Sequence, residues 1–343
     1  MPISMNHRRL FLCTILSCSA LFITAPADAA SNQLRIGTLA PKNSLYHRQL
    51  QAVGEVWRTA QGSNAKYLIY TDGSQGGEAE LTRRMRIGQL QGALISVVGL
   101  REIEPSIAAL QNLPMLFKSW EEVDYVREKM RASMERKFLD KGFVVLAWGD
   151  SGWVRFFSKE PALRPADYKK MKFFAWGSES EQQEIMKSLG YTPVPLETAD
   201  ILPAIQTGMI NVVPSTPYFA LASQIYGTAP NMLEINWAPI VGALVMTKTA
   251  WDDMSLTTQQ AVQAASDKAG LEMRTQARLE VDEAVAAMKK RGLIVNKPNA
   301  AQQKEWAELA DSLYPRIRGS MVPAATFDEV FAHLKAYRAT QGK

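Results

Sequence analysis

The sequence predicts an α/β fold of two lobes, bridged by one long helix. Three observations predict it. Short apolar runs of strand length alternate with amphipathic stretches of helical period, the pattern of helices covering largely parallel sheets. The 343 residues exceed what one hydrophobic core usually serves, yet no Gly/Ser-rich linker divides them, so strands or short crossovers must join the lobes. Finally, Leu256–Arg291 reads as a single helix of about 50 Å at ~1.5 Å per residue, longer than one domain is wide. It would have to lie across both lobes.

Composition narrows the class. Hydrophobic residues at 47% and charged residues at 21% are ordinary globular proportions, which excludes wholesale disorder. Gly, Pro and Cys are unremarkable or scarce, which excludes collagen-like and disulfide-framework chains. The formal charge of +5 is too small and too dispersed to argue for nucleic acid as a partner.

The elements follow in order. His7, Arg8 and Arg9 precede the apolar run Leu10–Thr24 and the small-residue site Ala27-Asp28-Ala29. That is the order of a cleavable export signal over residues 1–29. The run would extend only about 22 Å as a helix, short for a bilayer. Ile15-Leu16-Ser17-Cys18 is also a loose lipobox, so lipidation of Cys18 stays open. Both cysteines, Cys13 and Cys18, fall within the signal, and the mature chain would have neither disulfides nor thiolate chemistry. A soluble periplasmic product without membrane insertion is expected.

Past the signal, strands are expected at Leu34–Ile36, Tyr67–Tyr70, Ala93–Val98, Phe143–Trp148, Val154–Ser158, Lys172–Trp176, Met209–Val213 and Ala243–Met246. Helices are expected at Leu45–Ala60, Glu78–Ile87 and Trp120–Leu139, the last carrying Val123, Val126, Met130, Met134 and Phe138 at three- and four-residue steps. In the long helix Thr257 can cap the start, Gly270 is the lone glycine, and Gly292 ends it after Lys289, Lys290 and Arg291.

Catalytic signatures are sparse. Gly149-Asp150-Ser151-Gly152 matches the tetrapeptide around the nucleophile of trypsin-like proteases, but Trp153 follows it and neither His47 nor His333 sits in a triad context. A strand-end turn is the better reading. Two isolated histidines without cysteine cannot build a zinc site of familiar spacing. No Gly-x-x-x-x-Gly-Lys motif occurs. The sequence thus calls for no catalytic residue, no metal site and no cofactor, although carboxylates leave a hard cation such as calcium open, and an enzyme would have to be a secreted carboxylate-based hydrolase.

Two features suggest binding instead. Asp72–Glu78 (DGSQGGE) follows a strand and opens a helix, where glycine-freed backbone amides suit an anion or a polar ligand group. A plain βα turn explains it equally. Trp148, Trp153, Trp176 and Trp237, with Phe156, Phe157, Phe173 and Phe174, cluster in the middle third, where aromatics serve either core or cleft.

From Gln33 to about His333 the order of segments resembles the solute-binding proteins of TRAP (tripartite ATP-independent periplasmic) transporters, dicarboxylate type. The carriers are Arg83–Ala93, Leu113–Phe117 with Ser119 and Glu121, Gly152–Ser158, Pro165–Lys172, Leu189–Pro195, Ala204–Gly208 and Val245–Trp251. Each is degenerate alone; seven in register are not. The resemblance implies a two-lobed clamp: lobe 1 from residues 30–150 and 241–270, lobe 2 from 151–240, and bridging and C-terminal helices over 271–343. It also implies closure on a small-molecule ligand without chemistry, and delivery to membrane permease subunits driven by a sodium gradient.

The resemblance implies site residues as well. Members that take organic acids carry two second-lobe arginines. Arg155 is aligned with the first, although its spacing from Gly152 is one residue longer than the family's Gly-x-Arg; Phe174 stands at the second. A phenyl ring cannot replace a two-pronged guanidinium. Asn211–Thr216 (NVVPST) replaces a usually polar run. Both changes point to an apolar or amphipathic ligand meeting Phe174 and Trp176. The alternative is a simple organic acid, a 2-oxo acid or dicarboxylate, anchored by Arg155. Arg155 in an internal ion pair and Phe174 in the core would serve neither. Family position adds Ser215, Tyr218 and Trp237 on the second lobe. On the first lobe's rim it adds Thr38–Ser44 (including Leu39), Ser74, Gln75 and Ser96–Val97.

Overall fold

Eleven strands form among the described residues, most of them on short apolar runs. The computed structural model describes residues 33–62 and 64–342; the export signal, with Cys13 and Cys18, lies outside them. In chain order the strands are β1 (Gln33–Thr38), β2 (Lys66–Tyr70), β3 (Gly92–Ser96), β4 (Phe143–Trp153), β5 (Arg155–Ser158), β6 (Lys172–Trp176), β7 (Thr192–Leu196), β8 (Val212–Ser215), β9 (Asn231–Leu233), β10 (Pro239–Thr247) and β11 (Ile294–Asn296). One sheet has the order β2-β1-β3-β10-β4, the other β11-β9-β5-β8-β6-β7. Each carries helices on both faces, giving the two lobes.

The sheets are mixed, not largely parallel. β1 runs parallel to β2 and β3, but β10 is antiparallel to β3 and β4, and β5 is antiparallel to β8 and β9. Connectivity is the cause. The chain leaves the first lobe along β4 and returns along β10, so the paired crossing strands must run oppositely, Phe143 against Thr247 and Trp153 against Pro239. The strand expected at Met209–Val213 starts later, at Val212, because Gly208 closes the preceding helix in the left-handed region at φ 78° and leaves Met209 exposed in the turn. The strand expected to reach Val98 ends at Ser96, whose hydroxyl accepts from Val98 N and caps a short helix instead.

The long helix spans Leu256–Lys289, and Ser255, not Thr257, caps it by accepting from Thr258 N. Its buried stripe, Val262, Ser266, Ala269, Met273, Ala277, Val281, Ala284 and Met288, steps by three and four residues. Val262, Ala269 and Met273 pack with Leu146, Ala147 and Leu244 of the first lobe, whereas Met288 packs with Phe157, Phe174 and Val213 of the second. One rod therefore touches both cores. Gly270 permits the close approach, since a Cβ there would lie 2.8 Å from Trp148 O and 3.0 Å from Ala147 Cβ.

The C-terminal segment bridges again. In the helix Ala300–Ile317, Trp306 packs against Phe156 and Tyr168 of the second lobe. Leu313 and Ile317, with Phe327, Val330 and Leu334 of the helix Ala324–Thr340, enter the first lobe's core. The stretch 271–343 is not wholly helical, because β11 joins the second sheet in parallel with β9.

Candidate functional site

Strands of both sheets end at one crevice. β1 stops at Thr38, β3 at Ser96, β6 at Trp176 and β8 at Ser215, and carboxyl ends of strands in open α/β sheets are where ligands settle. Between them lies a cavity of about 340 Å³, within the range of small-molecule sites. Thr38, Leu39, Ala40, Pro41, Tyr46 and Ser96 line it from the first lobe, Phe174, Trp176, Ser215, Thr216 and Tyr218 from the second, and Asp150, Ser151 and Gly242 from the crossing strands.

Of the residues expected at the site, Leu39, Ser96, Phe174, Trp176, Ser215, Tyr218 and Trp237 line this cavity; Ser74, Gln75 and Arg155 do not. Gln75 turns toward the helix beyond it, its Oε1 accepting from Arg84 Nη1 at 3.2 Å. On either side of Arg155, Val154 and Phe156 face the cavity, as strand alternation requires. The arginine is half-buried instead, 3.8 Å from Glu234 Oε1, its Nε without a hydrogen-bond partner among the described residues. That burial lowers its pKa, against the pull of Glu234 and Asp282. Without the extra residue in the alignment, Gly152-Trp153-Val154 puts valine at the arginine position of Gly-x-Arg, and valine is what meets the cavity. Tyr46, Val154 and Thr216 are lining residues beyond those named from sequence; the unshifted alignment is the signal that finds Val154.

The turn 72–78 does meet an anion, though one belonging to the protein. The Glu197 carboxylate comes against Gly77 so closely that a Cβ there would lie 2.0 Å from its Oε2. Burial, then the nearby Asp200, raises the Glu197 pKa.

Charge at the cavity wall is spent internally. Among the described residues the lining contains no Lys, Arg or His, and its acids are Glu78, Asp150 and Glu179. Glu78 accepts from Ser96 N at 2.8 Å, Ser96 Oγ at 2.6 Å and Gly99 N at 3.0 Å. Burial still outweighs those bonds and raises its pKa. Asp150 accepts from Arg127 Nη1 at 2.6 Å and Arg278 Nε at 3.2 Å. Glu179 accepts from Arg101 Nη1 at 2.8 Å; here too burial, opposed by Arg101, leaves the pKa raised. No three acidic, histidine or cysteine side chains among the described residues gather as a metal site would need.

Hydroxyls supply what polarity remains. Thr38 Oγ1 accepts from Ala40 N, Thr216 Oγ1 from Phe219 N, and Tyr218 Oη from Leu45 N. Each is used as an acceptor there and keeps its own proton to donate. Around them stand Leu39, Val154, Phe174 and Trp176, with Phe174 edge-on to Trp176 at 4.9 Å between ring centroids. Such a wall can hold an apolar body and orient one polar end by hydroxyl hydrogen bonds; among the described lining residues no cation stands to pair with an anion.

Contacts across the crevice tie the lobes, among them Arg101 to Glu179 and Glu181, Tyr46 edge-on to Tyr218 at 5.9 Å, and Leu45 N to Tyr218 Oη at 3.4 Å.

Comparison with known proteins bears on both fold and site. The family model described as "Bacterial extracellular solute-binding protein, family 7" matches residues 36–319. The 2,3-diketo-L-gulonate-binding periplasmic protein of Escherichia coli (strain K12) is 22% identical over 294 residues, 80% of this chain and 86% of that protein. Among solved structures, a TRAP periplasmic solute-binding protein from Ralstonia eutropha H16 with bound (S)-2-acetolactate superposes with TM-score 0.82 at 16% identity, over 89% of this chain and 99% of that one. Another from Sulfitobacter sp. NAS-14.1, with bound β-D-galacturonate, gives 0.78 at 18% identity, over 87% and 98%. These relatives are substrate-binding proteins of transport systems, and no helix among the described residues is long and apolar enough to cross a membrane. A match over most of the chain, on two lobes that meet at a strand-end crevice, makes it a member of the bacterial extracellular solute-binding protein family 7, the solute-binding proteins of TRAP transporters.

Proposed function

We propose that this chain is the periplasmic receptor that captures an amphipathic organic acid and presents it to the permease subunits of a sodium-driven TRAP transporter. The relatives' ligands favour an acid: acetolactate, galacturonate and diketogulonate are all carboxylates. One observation supports an amphipathic one: the cavity wall carries aromatic and aliphatic side chains and, among the described residues, no cation. A compact dianion would lose its hydration there without an ion pair in return. A monoacid with apolar bulk would lay that bulk on Phe174 and Trp176 and meet the Thr38, Thr216 and Tyr218 hydroxyls with its polar end.

Native mass spectrometry of protein purified without denaturation tests the reading: a single amphipathic monoacid is the expected adduct. A second reading, a small polar acid anchored by Arg155, is favoured by that residue's half-buried guanidinium and unpartnered Nε. The two part at Arg155→Ala. Affinity within twofold of wild type fits the amphipath. A loss of about 2–5 kcal/mol, with a dicarboxylate or sugar acid as the adduct, fits the anchor and overturns the first reading.

A further inference from the structure

Phe173 and Phe174 are neighbours on β6, and neighbouring side chains on a strand point to opposite faces of the sheet. Phe173 packs in the core on one face and Phe174 in the core on the other. Both line the same cavity. The cavity therefore wraps around the end of β6 and continues on the face covered by the helices Ser180–Ser188 and Ala300–Ile317.

This second arm differs in character from the hydroxyl-bearing mouth. Its walls include Met186, Leu189, Trp237, Leu309, Leu313 and Met321, drawn from four separate segments. Met186, Leu189, Trp237 and Leu309 are only half-buried and present apolar surface to a continuous space. Three polar side chains on this flank are engaged within the protein: Trp306 Nε1 donates to Leu163 O at 2.8 Å, Tyr191 Oη to Pro165 O at 3.2 Å, and Gln111 Oε1 accepts from Val241 N at 3.2 Å. The two methionines are flexible thioethers that fit irregular apolar shapes.

We propose that this arm is a tail-binding subsite for an unbranched alkyl or acyl chain, so that the ligand lies around the end of β6 with its polar end at Thr38, Thr216 and Tyr218. The assignment rests on the receptor reading above and adds the ligand's shape: an elongated amphipath, not a compact acid.

Isothermal titration with butanoate, octanoate and decanoate, below their micellar concentrations, tests it. Each added methylene that enters the arm should tighten binding about fourfold, the equivalent of ~0.8 kcal/mol per buried CH₂. Leu309→Trp and Met186→Phe, which add volume inside the arm, should erase the gain of decanoate over butanoate and leave butanoate itself within twofold. Thermal melts confirm that each variant folds, and either one suffices. Equal affinity across the series, or variants that keep the decanoate gain, would overturn the subsite while leaving the receptor reading intact. If none of these acids binds but succinate or galacturonate does, both fall together.

Discussion

Replacing Asp150 with leucine removes a carboxylate that holds two arginines where β4 crosses between the lobes. Asp150 is buried; Arg127 Nη1 donates to its Oδ1 at 2.6 Å and Arg278 Nε to its Oδ2 at 3.2 Å. Leucine carries no charge and is bulkier than aspartate, so overpacking adds to the electrostatic loss. Breaking a buried pair by removing one partner costs about 3–5 kcal/mol, because a charge stays buried without compensation. Here each arginine keeps a second acid: Arg278 Nη1 donates to Asp124 Oδ2 at 2.7 Å, and Arg127 also pairs with Asp124. The cost should therefore sit at the low end, about 3 kcal/mol, which moves the urea midpoint down by about 1 M for a slope of ~3 kcal/mol/M. Adding Arg127→Met removes the stranded charge, so the double variant should recover at least ~1 kcal/mol relative to the sum of the single ones. Urea denaturation followed by tryptophan fluorescence measures all three. A cost under ~1 kcal/mol for Asp150→Leu, or strict additivity in the double variant, refutes the view that this network holds the crossing strand.

Gly270→Ala should destabilise by about 1–3 kcal/mol and lower the melting temperature, because the new methyl meets the Trp148 carbonyl at 2.8 Å, a backbone atom that cannot step aside; an unchanged melt would mean that the helix is not held against β4. Arg101→Met leaves the Glu179 carboxylate unpaired in the closed crevice and should weaken ligand binding about 10- to 100-fold, with Glu179→Leu restoring much of it in the double variant; titration of the co-purifying ligand reads this, and affinity within twofold would sink it. Acid should destabilise the fold through Glu122 and Asp124. Burial alone would raise both pKa values, but Arg338 and Lys118 N at Glu122, and Arg278 with Arg127 at Asp124, outweigh it and leave both lowered. A lowered carboxyl contributes stability above its unfolded value, ~4, and that stability goes as pH falls through the folded value. Melting temperature should accordingly hold from pH 7 to about 5 and drop below about 4, less steeply in Arg338→Met; an identical acid slope in that variant counts against the Glu122 contribution.

The periodicity of apolar residues made the long helix, the crossing strands and the first lobe's layers legible, because these segments bury one face along their whole length. It missed β7, β9 and β11. Thr192–Leu196 carries two prolines, Asn231–Leu233 and Ile294–Asn296 are three residues each, and strands so short draw their stability from neighbours, not from their own pattern. At the site, Phe174 and Trp176 were legible because a bulky ring at a family arginine position is a loud change. Arg155 shows the reverse: a chemically apt residue one position out of register falls outside the cavity lining, while Val154 and Phe156 on either side of it face the cavity. The second arm of the cavity was invisible, since Met186, Leu309 and Met321 lie far apart in sequence and look like ordinary core.

Closure of such a clamp needs lobe-to-lobe contacts that are nearly neutral by themselves, or the empty form would shut and exclude its ligand. The contacts here fit that demand. Arg101 and Glu179 gain a 2.8 Å ion pair, but Glu179 is buried and its Oε1 has no partner among the described residues, so desolvation offsets much of the attraction. The balance then falls to the ligand. Burying roughly 200 Å² of apolar surface at ~25 cal/mol/Å² contributes about 5 kcal/mol, close to the ~5.5 kcal/mol that carries a two-state population from 1:99 to 99:1. A compact polar acid of equal volume would have to draw that free energy from the three hydroxyl protons, with no cation among the described lining residues to help. On the proposed reading, then, binding should follow chain length more steeply than charge.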